Sequence, residues 1–362
     1  MIGILTFHRA VNYGAVLQCY ALQTVLNQMG VENEVVDYRC SFIEKRYALK
    51  PSVSPIHVKH FLAEVKTMPK RKAARNAFDL FLTNNIALSR IYYKENIESC
   101  CERYKGIITG SDQVWNLSIT GEDTTYALDF VNGKTRKLSY AASIGPKSIR
   151  KDYENKLLQC LQSYDILSVR EPAAVDTVSR MADKLVHVDV DPTILPDISV
   201  WNVLAHRSEM KEKDFIFMYI MQPSDVLYDT AVALAKQNNL KIFTISMVND
   251  KRKIGKDMQG ASIEDFLWMV KNASYIITNS FHGIMFALRF HKQFYWAYQQ
   301  GSHMSNSRFD MLVEQYGIDK RCCRDNESYK ECSFLDFDDI EQIMFHQREQ
   351  SIANLLRYIL GE

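Results

Sequence analysis

The chain has 362 residues, 47% of them hydrophobic, and a formal net charge of +1. That length carries roughly two domains and a sizeable core, while the balanced charge gives no electrostatic support for a nucleic-acid partner. The opening residues, MIGILTFHRA, lack a basic segment followed by a long apolar stretch and a cleavage site, and no window offers about 18 unbroken apolar residues. The expectation is a cytoplasmic protein that does not span a bilayer.

MIGILTF reads as a buried first strand. HRAVNYGA follows as a polar loop, with Asn12 and Gly14 ahead of a helix over AVLQCYALQTVLNQMG that Gly30 closes. VENEVVDY is the next strand. This β-loop-α-β start, with its right-handed crossover, opens a doubly wound parallel sheet. Residues 41–105 are less regular. Between Lys50 and Arg75 there are seven Lys/Arg residues and one acid, Glu64. VKHFLAEV and AFDLFL suggest helices there, either with a solvated basic face or with a face for an anionic acceptor or the inner surface of a membrane.

Four further strands each end in a polar loop: YKGIITGSDQVWN, RKLSYAASIGP, DILSVREPAA and VHVDVDPTIL. Ligands of open α/β sheets bind beyond the carboxyl ends of the strands, so these loops converge on one edge. Residues 196–213 break the pattern and read as an interdomain connection. FIFMYIM then opens a second α/β unit. Within it, SIEDFLWMVKNA is a helix capped by Ser262 with Asp265 at the third position. SYIITNS is a strand, GIMFALRF a helix, QFYWAY a strand and SRFDMLVEQYG a helix. The tail has apolar residues at 340, 343, 344, 352, 355, 356 and 359, the spacing of a long amphipathic helix laid on the body. The expected organisation is an N-terminal Rossmann-like domain over 1–200, a second over 213–335, and a C-terminal helix over 336–362.

The eight cysteines include no CxxC pair and read as reduced thiols rather than a metal site. P-loop, GxGxxG, GxSxG and HExxH motifs are absent. The chemistry-bearing candidates all lie after strands. At the turn 278–283, Ser280 can cap a helix whose N-terminus favours an anion, Gly283 allows close approach, and His282 can move a proton near neutral pH. A capping turn with a satisfied histidine is the competing reading. Arg170 offers a fork of donors suited to a carboxylate or phosphate, or stands with Glu171 at the surface. Ser111, Asp112, Gln113, Trp115 and Asn116 join polar groups to an indole, suited to a sugar ring, or make a turn with a packed tryptophan. Asp189 and Asp191 share a face or form a turn before Pro192. Arg308 faces a ligand or pairs with Asp310.

NYGAVLQCYALQ, GSDQVWN, SYAASIG, SVREP, VDPT, TNSFHG and NSRFDML, in this order, resemble the polysaccharide pyruvyl transferase family over about residues 5–315. The resemblance implies two Rossmann-like domains facing across a cleft, similar to GT-B glycosyltransferases, with the first domain on the acceptor side and the second on the donor side. It implies phosphoenolpyruvate as donor substrate, no cofactor and no metal. The acceptor would be a glycan or a lipid-linked or nucleotide-linked sugar, which receives a pyruvate ketal in surface polysaccharide (capsule or exopolysaccharide) biosynthesis. The family's cleft histidine falls on His282 and its strand-end arginine on Arg170. Some members carry arginine two residues before the histidine; Ser280 stands there, followed by Phe281, so Arg308, Lys292 or the His8–Arg9 pair must supply the cation, with Arg308 ranked first. On this scheme His282 is the acid, Asp112 positions or deprotonates a hydroxyl, and Ser111, Gln113 and Trp115 line the acceptor. Arg170, Ser280, Gly283, Arg308, Asn12 and Gly14 hold the donor. The rivals are a nucleotide-sugar GT-B transferase, with Glu264 or Asp265 gripping a ribose, and a non-catalytic sugar or anion binder.

Overall fold

Short apolar runs with no polar alternation belong to strands covered on both faces, the signature of parallel sheets, and the computed structural model of the protein carries two such sheets. The structure describes all residues except 50–57, 146–148, 249–251, 302–305, 326 and 362, and the side chains of 58–66 and 331 are likewise outside the description. Lys50, the first residue of the basic stretch, therefore lies outside the described residues, as does Pro146.

In chain order the first elements are β1 (Ile2–Leu5), α1 (Tyr13–Gln28), β2 (Asn33–Tyr38), α2 (Ser41–Arg46), α3 (Val58–Asn85), β3 (Leu88–Tyr92), β4 (Gly106–Thr109), α4 (Leu117–Thr120), β5 (Arg136–Ser139), α5 (Lys151–Leu161), β6 (Leu167–Val169), α6 (Val175–Ala182) and β7 (Val186–Val188). There follow α7 (Ile198–His206), β8 (Phe215–Ile220), α8 (Asp225–Asn238), β9 (Lys241–Ser246), β10 (Lys256–Asp257), α9 (Ile263–Asn272), β11 (Tyr275–Thr278), α10 (Phe281–Arg289), β12 (Phe294–Trp296), α11 (Ser307–Tyr316) and α12 (Asp338–Leu360).

The chain divides into two units. The first comprises Met1–Ala48, Leu80–Pro196 and Met344–Glu362; the second comprises Leu49–Asp79 and Asp197–Ile343. The first sheet has the order β3-β2-β1-β4-β5, all parallel, and bridges from Leu138 to Ile166 and from Ala142 to Val169 tie it to the pair β6-β7. The second sheet repeats that order as β10-β9-β8-β11-β12, again all parallel. In each, the strand order reverses beside the first strand, between β1 and β4 and between β8 and β11. Such a switch point is where open α/β sheets bind ligands.

Local sequence explains the elements around these points. α1 is N-capped by Asn12, whose side chain accepts from the Ala15 N–H at 3.2 Å. α9 has the reciprocal capping box expected from Ser262 and Asp265. Every residue of α10 is buried, His282 and Arg289 among them.

Three expectations are revised. Residues 196–213 are not a bare connection: Ile198–His206 is a helix of the second unit with Trp201 fully buried. The two expected helices after residue 58 are one helix, α3, which continues through Pro69. The tail's apolar stripe is only partly covered. Ile340, Met344 and Leu355 are buried while Ile343 and Leu356 are exposed, and Ser351, Asn354 and Tyr358 complete the buried side. Those three polar groups explain the docking of α12 residues on the first unit: Ser351 Oγ accepts from the Val190 N–H, while Asn354 and Tyr358 donate to the Asp189 carboxylate at 2.9 and 2.8 Å.

Candidate functional site

The switch point of the second unit is built by amides. β11 ends at Thr278 and α10 begins at Phe281, so only two residues make the turn. Asn279 Oδ1 accepts from the Met221 N–H at 2.8 Å, and its Nδ2 donates to the Gln222 carbonyl at 2.6 Å, joining the loop after β8 to the loop after β11. Gln299, buried after β12, donates from Nε2 to the Asn279 carbonyl at 2.7 Å. Asn306 holds both backbone groups of Gln299. Arg308, in the first turn of α11 and half-buried, donates from Nη2 to Gln299 Oε1 at 3.3 Å. A relay of Asn279, Gln299 and Arg308 thus spans the ends of β8, β11 and β12.

His282 is the second residue of α10 and is 8% exposed. Its ring stands edge-on to Phe281, with centroids 5.2 Å apart. Ser280 is the N-cap: its Oγ accepts from the Gly283 N–H at 3.3 Å and its carbonyl from the Ile284 N–H at 3.1 Å. The imidazole therefore lies in the first helical turn, where the macrodipole presents its positive end and an anion is favoured. The expected role of Gly283 changes. A Cβ there would lie 2.4 Å from Thr278 Oγ1, so glycine is needed for the helix to pack on its own strand, not for a ligand to approach.

The first unit's switch point is closed by Gln18. Its Nε2 donates to Thr6 Oγ1 at 2.8 Å and its Oε1 accepts from the Ser111 N–H at 3.0 Å; Thr6 Oγ1 in turn donates to the Ser111 carbonyl. Ser111 is fully buried with its hydroxyl on the Ala141 carbonyl, so it holds the loop together and does not meet an acceptor. Gly110 before it has φ of +112°, and a Cβ there would strike the Tyr140 carbonyl at 2.3 Å. Asp112 is partly exposed with φ of +71°, and its Oδ1 accepts from the Gln113 N–H. Gln113 Oε1 accepts from Asn116. Gly14 is not ahead of α1 but inside its first turn, buried.

Two more expectations are corrected here. Trp115 is 1% exposed and packs edge-on against Tyr164, with centroids 5.8 Å apart; an indole in the core cannot wall a sugar. Arg170 is not a surface group or an open cation. It is 1% exposed, bonded from Nε to Glu171 and from Nη1 to Asp191, each at 2.9 Å. Asp191 also caps the turn after Pro192 through the Thr193 N–H. Burial disfavours the Arg170 charge, but the carboxylates of Glu171, Asp191 and Asp112 outweigh that and push its pKa well above the usual value. Arg170 is thus a neutralised guanidinium set among carboxylates.

Of the substitute cations, Lys292 precedes β12 and lies at the opposite edge of the sheet from Asn279. His8 and Arg9 are both held by Asp37, with Arg9 Nε 2.9 Å and His8 Nε2 3.2 Å from Oδ1. Arg308 is the one of the three that shares an edge with His282 within a single unit. Asp265, the rival's ribose grip, is engaged by the capping box and by Ser208 Oγ at 2.6 Å. Gln18, Asn279, Gln299 and Asn306 complete the two sites. They carry no charge; Gln18, Asn279 and Asn306 stand inside the quoted motifs NYGAVLQCYALQ, TNSFHG and NSRFDML without having been singled out, and Gln299 lies in none of them.

No helix among the described residues is long and apolar enough to cross a membrane. A comparison with curated proteins finds no match. Among solved structures, a UDP-N-acetylglucosamine 2-epimerase described as putative, from Listeria monocytogenes, is similar at TM-score 0.56 and 10% identity, covering 99% of this chain and 95% of that one. S. aureus MnaA in its structure with UDP is similar at TM-score 0.51 and 12% identity, covering 99% and 96%. UDP-GlcNAc 2-epimerase from Methanocaldococcus jannaschii is similar at TM-score 0.50 and 10% identity, covering 95% and 99%. At such identities the likeness speaks to the fold, which is GT-B-like α/β. The sequence model of the polysaccharide pyruvyl transferase family matches residues 12–299, and since that span is most of the chain, the protein belongs to the polysaccharide pyruvyl transferase family.

Proposed function

We propose that the protein transfers the pyruvyl group of phosphoenolpyruvate to a pair of sugar hydroxyls, forming a ketal and releasing phosphate, in the assembly of a surface polysaccharide. Family membership makes it a transferase and supports this reading of what it transfers. The observation that carries the donor reading is His282 in the first turn of α10, at a switch point shared with Arg308 through Gln299 and Asn279. The reaction needs a proton on the donor's methylene carbon, attack of a hydroxyl oxygen on its central carbon, and cleavage of that carbon's bond to the phosphate oxygen. The second hydroxyl then adds to the same carbon and closes the ketal. His282 supplies the proton. Arg308 and the positive end of α10 hold the carboxylate and the departing phosphate. On the acceptor side, Asp112 is the carboxylate that takes a hydroxyl proton; Arg170 organises that edge from below.

The test is phosphate release from phosphoenolpyruvate in the presence of a panel of glycosides. Wild type releases phosphate with its acceptor, and His282→Ala loses that release with its unfolding midpoint unchanged. Full turnover in His282→Ala would remove the histidine from the role of acid. A nucleotide-sugar transferase is the second reading, favoured by the fold it shares with the UDP-bound S. aureus protein. Thermal stabilisation by UDP but not by phosphoenolpyruvate would replace the first reading with this one. No release with any glycoside, together with retained sugar binding, would leave a binding protein.

A further inference from the structure

The second unit carries a cavity of ≈ 230 Å³ at the other end of its strands from His282. Tyr275, on its wall, is the first residue of β11, and Arg321 is tied to Phe294, the first residue of β12. Tyr275 stands four residues before Asn279, roughly 13 Å of extended chain. The wall is aromatic. The Tyr295 ring has Tyr275 at 6.1 Å on one side and Tyr329 at 6.4 Å, nearly perpendicular, on another, and Leu234 of α8 adds an apolar face.

Arg321 is the unusual member. It is 2% exposed. Nε donates to the Phe294 carbonyl at 2.7 Å and Nη1 to the Ser333 carbonyl at 2.9 Å, while the guanidinium carbon lies 4.3 Å from the centre of the Tyr295 ring. Nη2 is buried and meets no hydrogen-bond acceptor, and no carboxylate pairs with Arg321 among the described residues. Lys330, on the same wall, is already paired with Glu327. A buried cation without a counter-charge is costly, and a ring face with two carbonyls offsets only part of that cost. A carboxylate bound in the pocket would supply the missing counter-charge.

We infer that this pocket binds a small aromatic carboxylate, its ring against the tyrosine cluster and its acid group toward Arg321 with Lys330 at the rim. The space equals that of about eight water molecules at ~30 Å³ each, which suits one ring and its acid. The inference is independent of the pyruvyl-transfer reading.

The experiment is isothermal titration of the full-length protein with 4-hydroxybenzoate, its neutral methyl ester and inorganic phosphate. The expected result is one site for the benzoate and at least tenfold weaker binding of the other two. Arg321→Met should abolish binding, but that variant could fail to fold. Gln237→Trp is therefore the second variant, because Gln237 is exposed in the last turn of α8 on the pocket wall and leaves the core alone. It should weaken the benzoate at least tenfold with an unchanged unfolding midpoint, whereas His282→Ala should bind as wild type. Absence of benzoate binding at millimolar concentration would overturn the inference. So would equal binding of the ester or of phosphate, indifference to Gln237→Trp, or loss in His282→Ala.

Discussion

Asn279 and Met221 belong to loops 58 residues apart in sequence, and the 2.8 Å bond from the Met221 N–H to Asn279 Oδ1 makes them one structural edge. With Nδ2 on the Gln222 carbonyl, a single primary amide answers one donor and one acceptor of the neighbouring loop. Alanine at 279 leaves both unanswered in a mostly buried place. The expected cost is about 1–3 kcal/mol, read as a lower urea midpoint. Phosphate release should fall with it, because the turn that presents His282 is the same turn. Aspartate keeps the acceptor but sets a carboxylate oxygen against the Gln222 carbonyl, so Asn279→Asp should also fall short of wild type. Wild-type stability in both variants would show that the amide is not what holds the edge.

The turn has a second requirement, and it is steric. Thr278 Oγ1 donates to the Tyr219 carbonyl at 2.6 Å, and any Cβ at 283 would arrive 2.4 Å from that oxygen. Gly283→Ala should destabilise the protein by about 1–3 kcal/mol through overpacking. In a Thr278→Ala background the same change should cost less, since the offending oxygen is gone. A double-mutant cycle in urea measures this coupling. Strict additivity would mean that the glycine serves something other than packing on its strand.

How the sequence could announce some of this and not the rest follows from the range of the interactions. The strand–turn–helix at 277–288 is local: apolar runs on either side of Ser280 specify where the helix must start, and the cap is three residues from the N–H it serves. The box of Ser262 and Asp265 is equally local. Arg170 is different. Its second carboxylate, Asp191, is 21 residues away and arrives through the pairing of β6 with β7, so a strand-end arginine that reads as an open cation is a buried, neutralised one. Trp115 fails as a sugar wall for the same reason, because Tyr164 meets it from the turn after α5. Gln18 and Gln299 find partners 93 and 20 residues distant, and nothing in the residues beside them names those partners. What is legible in the sequence is the backbone that positions the site; the polar contacts that lock it are tertiary.

Asp37 predicts a pH dependence. The carboxylate is buried, and burial alone would raise its pKa. Hydrogen bonds from His8 and Arg9, with their charges, outweigh burial and hold it well below the usual carboxylate range. A carboxyl whose folded pKa is depressed contributes stability above its unfolded pKa, about 3.9, and loses that contribution as pH falls toward the folded value. The gap in unfolding midpoint between wild type and Asp37→Asn should therefore be constant from pH 7 to pH 5 and should narrow below about pH 4. Urea unfolding at pH 7, 5 and 3 measures it. A gap that widens on acidification would reverse the sign and remove Asp37 as the anchor of His8 and Arg9.

Arg308 offers the sharpest test of the donor assignment, because its neighbours predict the pattern as well as the size of the effect. It is half-buried, lies over the Phe309 ring at 5.4 Å, and is steadied by Gln299. A hydrogen bond to a charged group contributes about 1.5–3 kcal/mol, so Arg308→Met should lower kcat/KM for phosphoenolpyruvate by roughly 10- to 150-fold, mostly through KM. Gln299→Met removes only the steadying contact, so it should raise KM by less and leave kcat near wild type. If Gln299 acts through Arg308, the double variant should be no worse than Arg308→Met alone. Full additivity of the two losses would give Gln299 its own contact with the donor. An unchanged kcat/KM in Arg308→Met would move the missing cation elsewhere and break the link between the α11 start and the His282 turn.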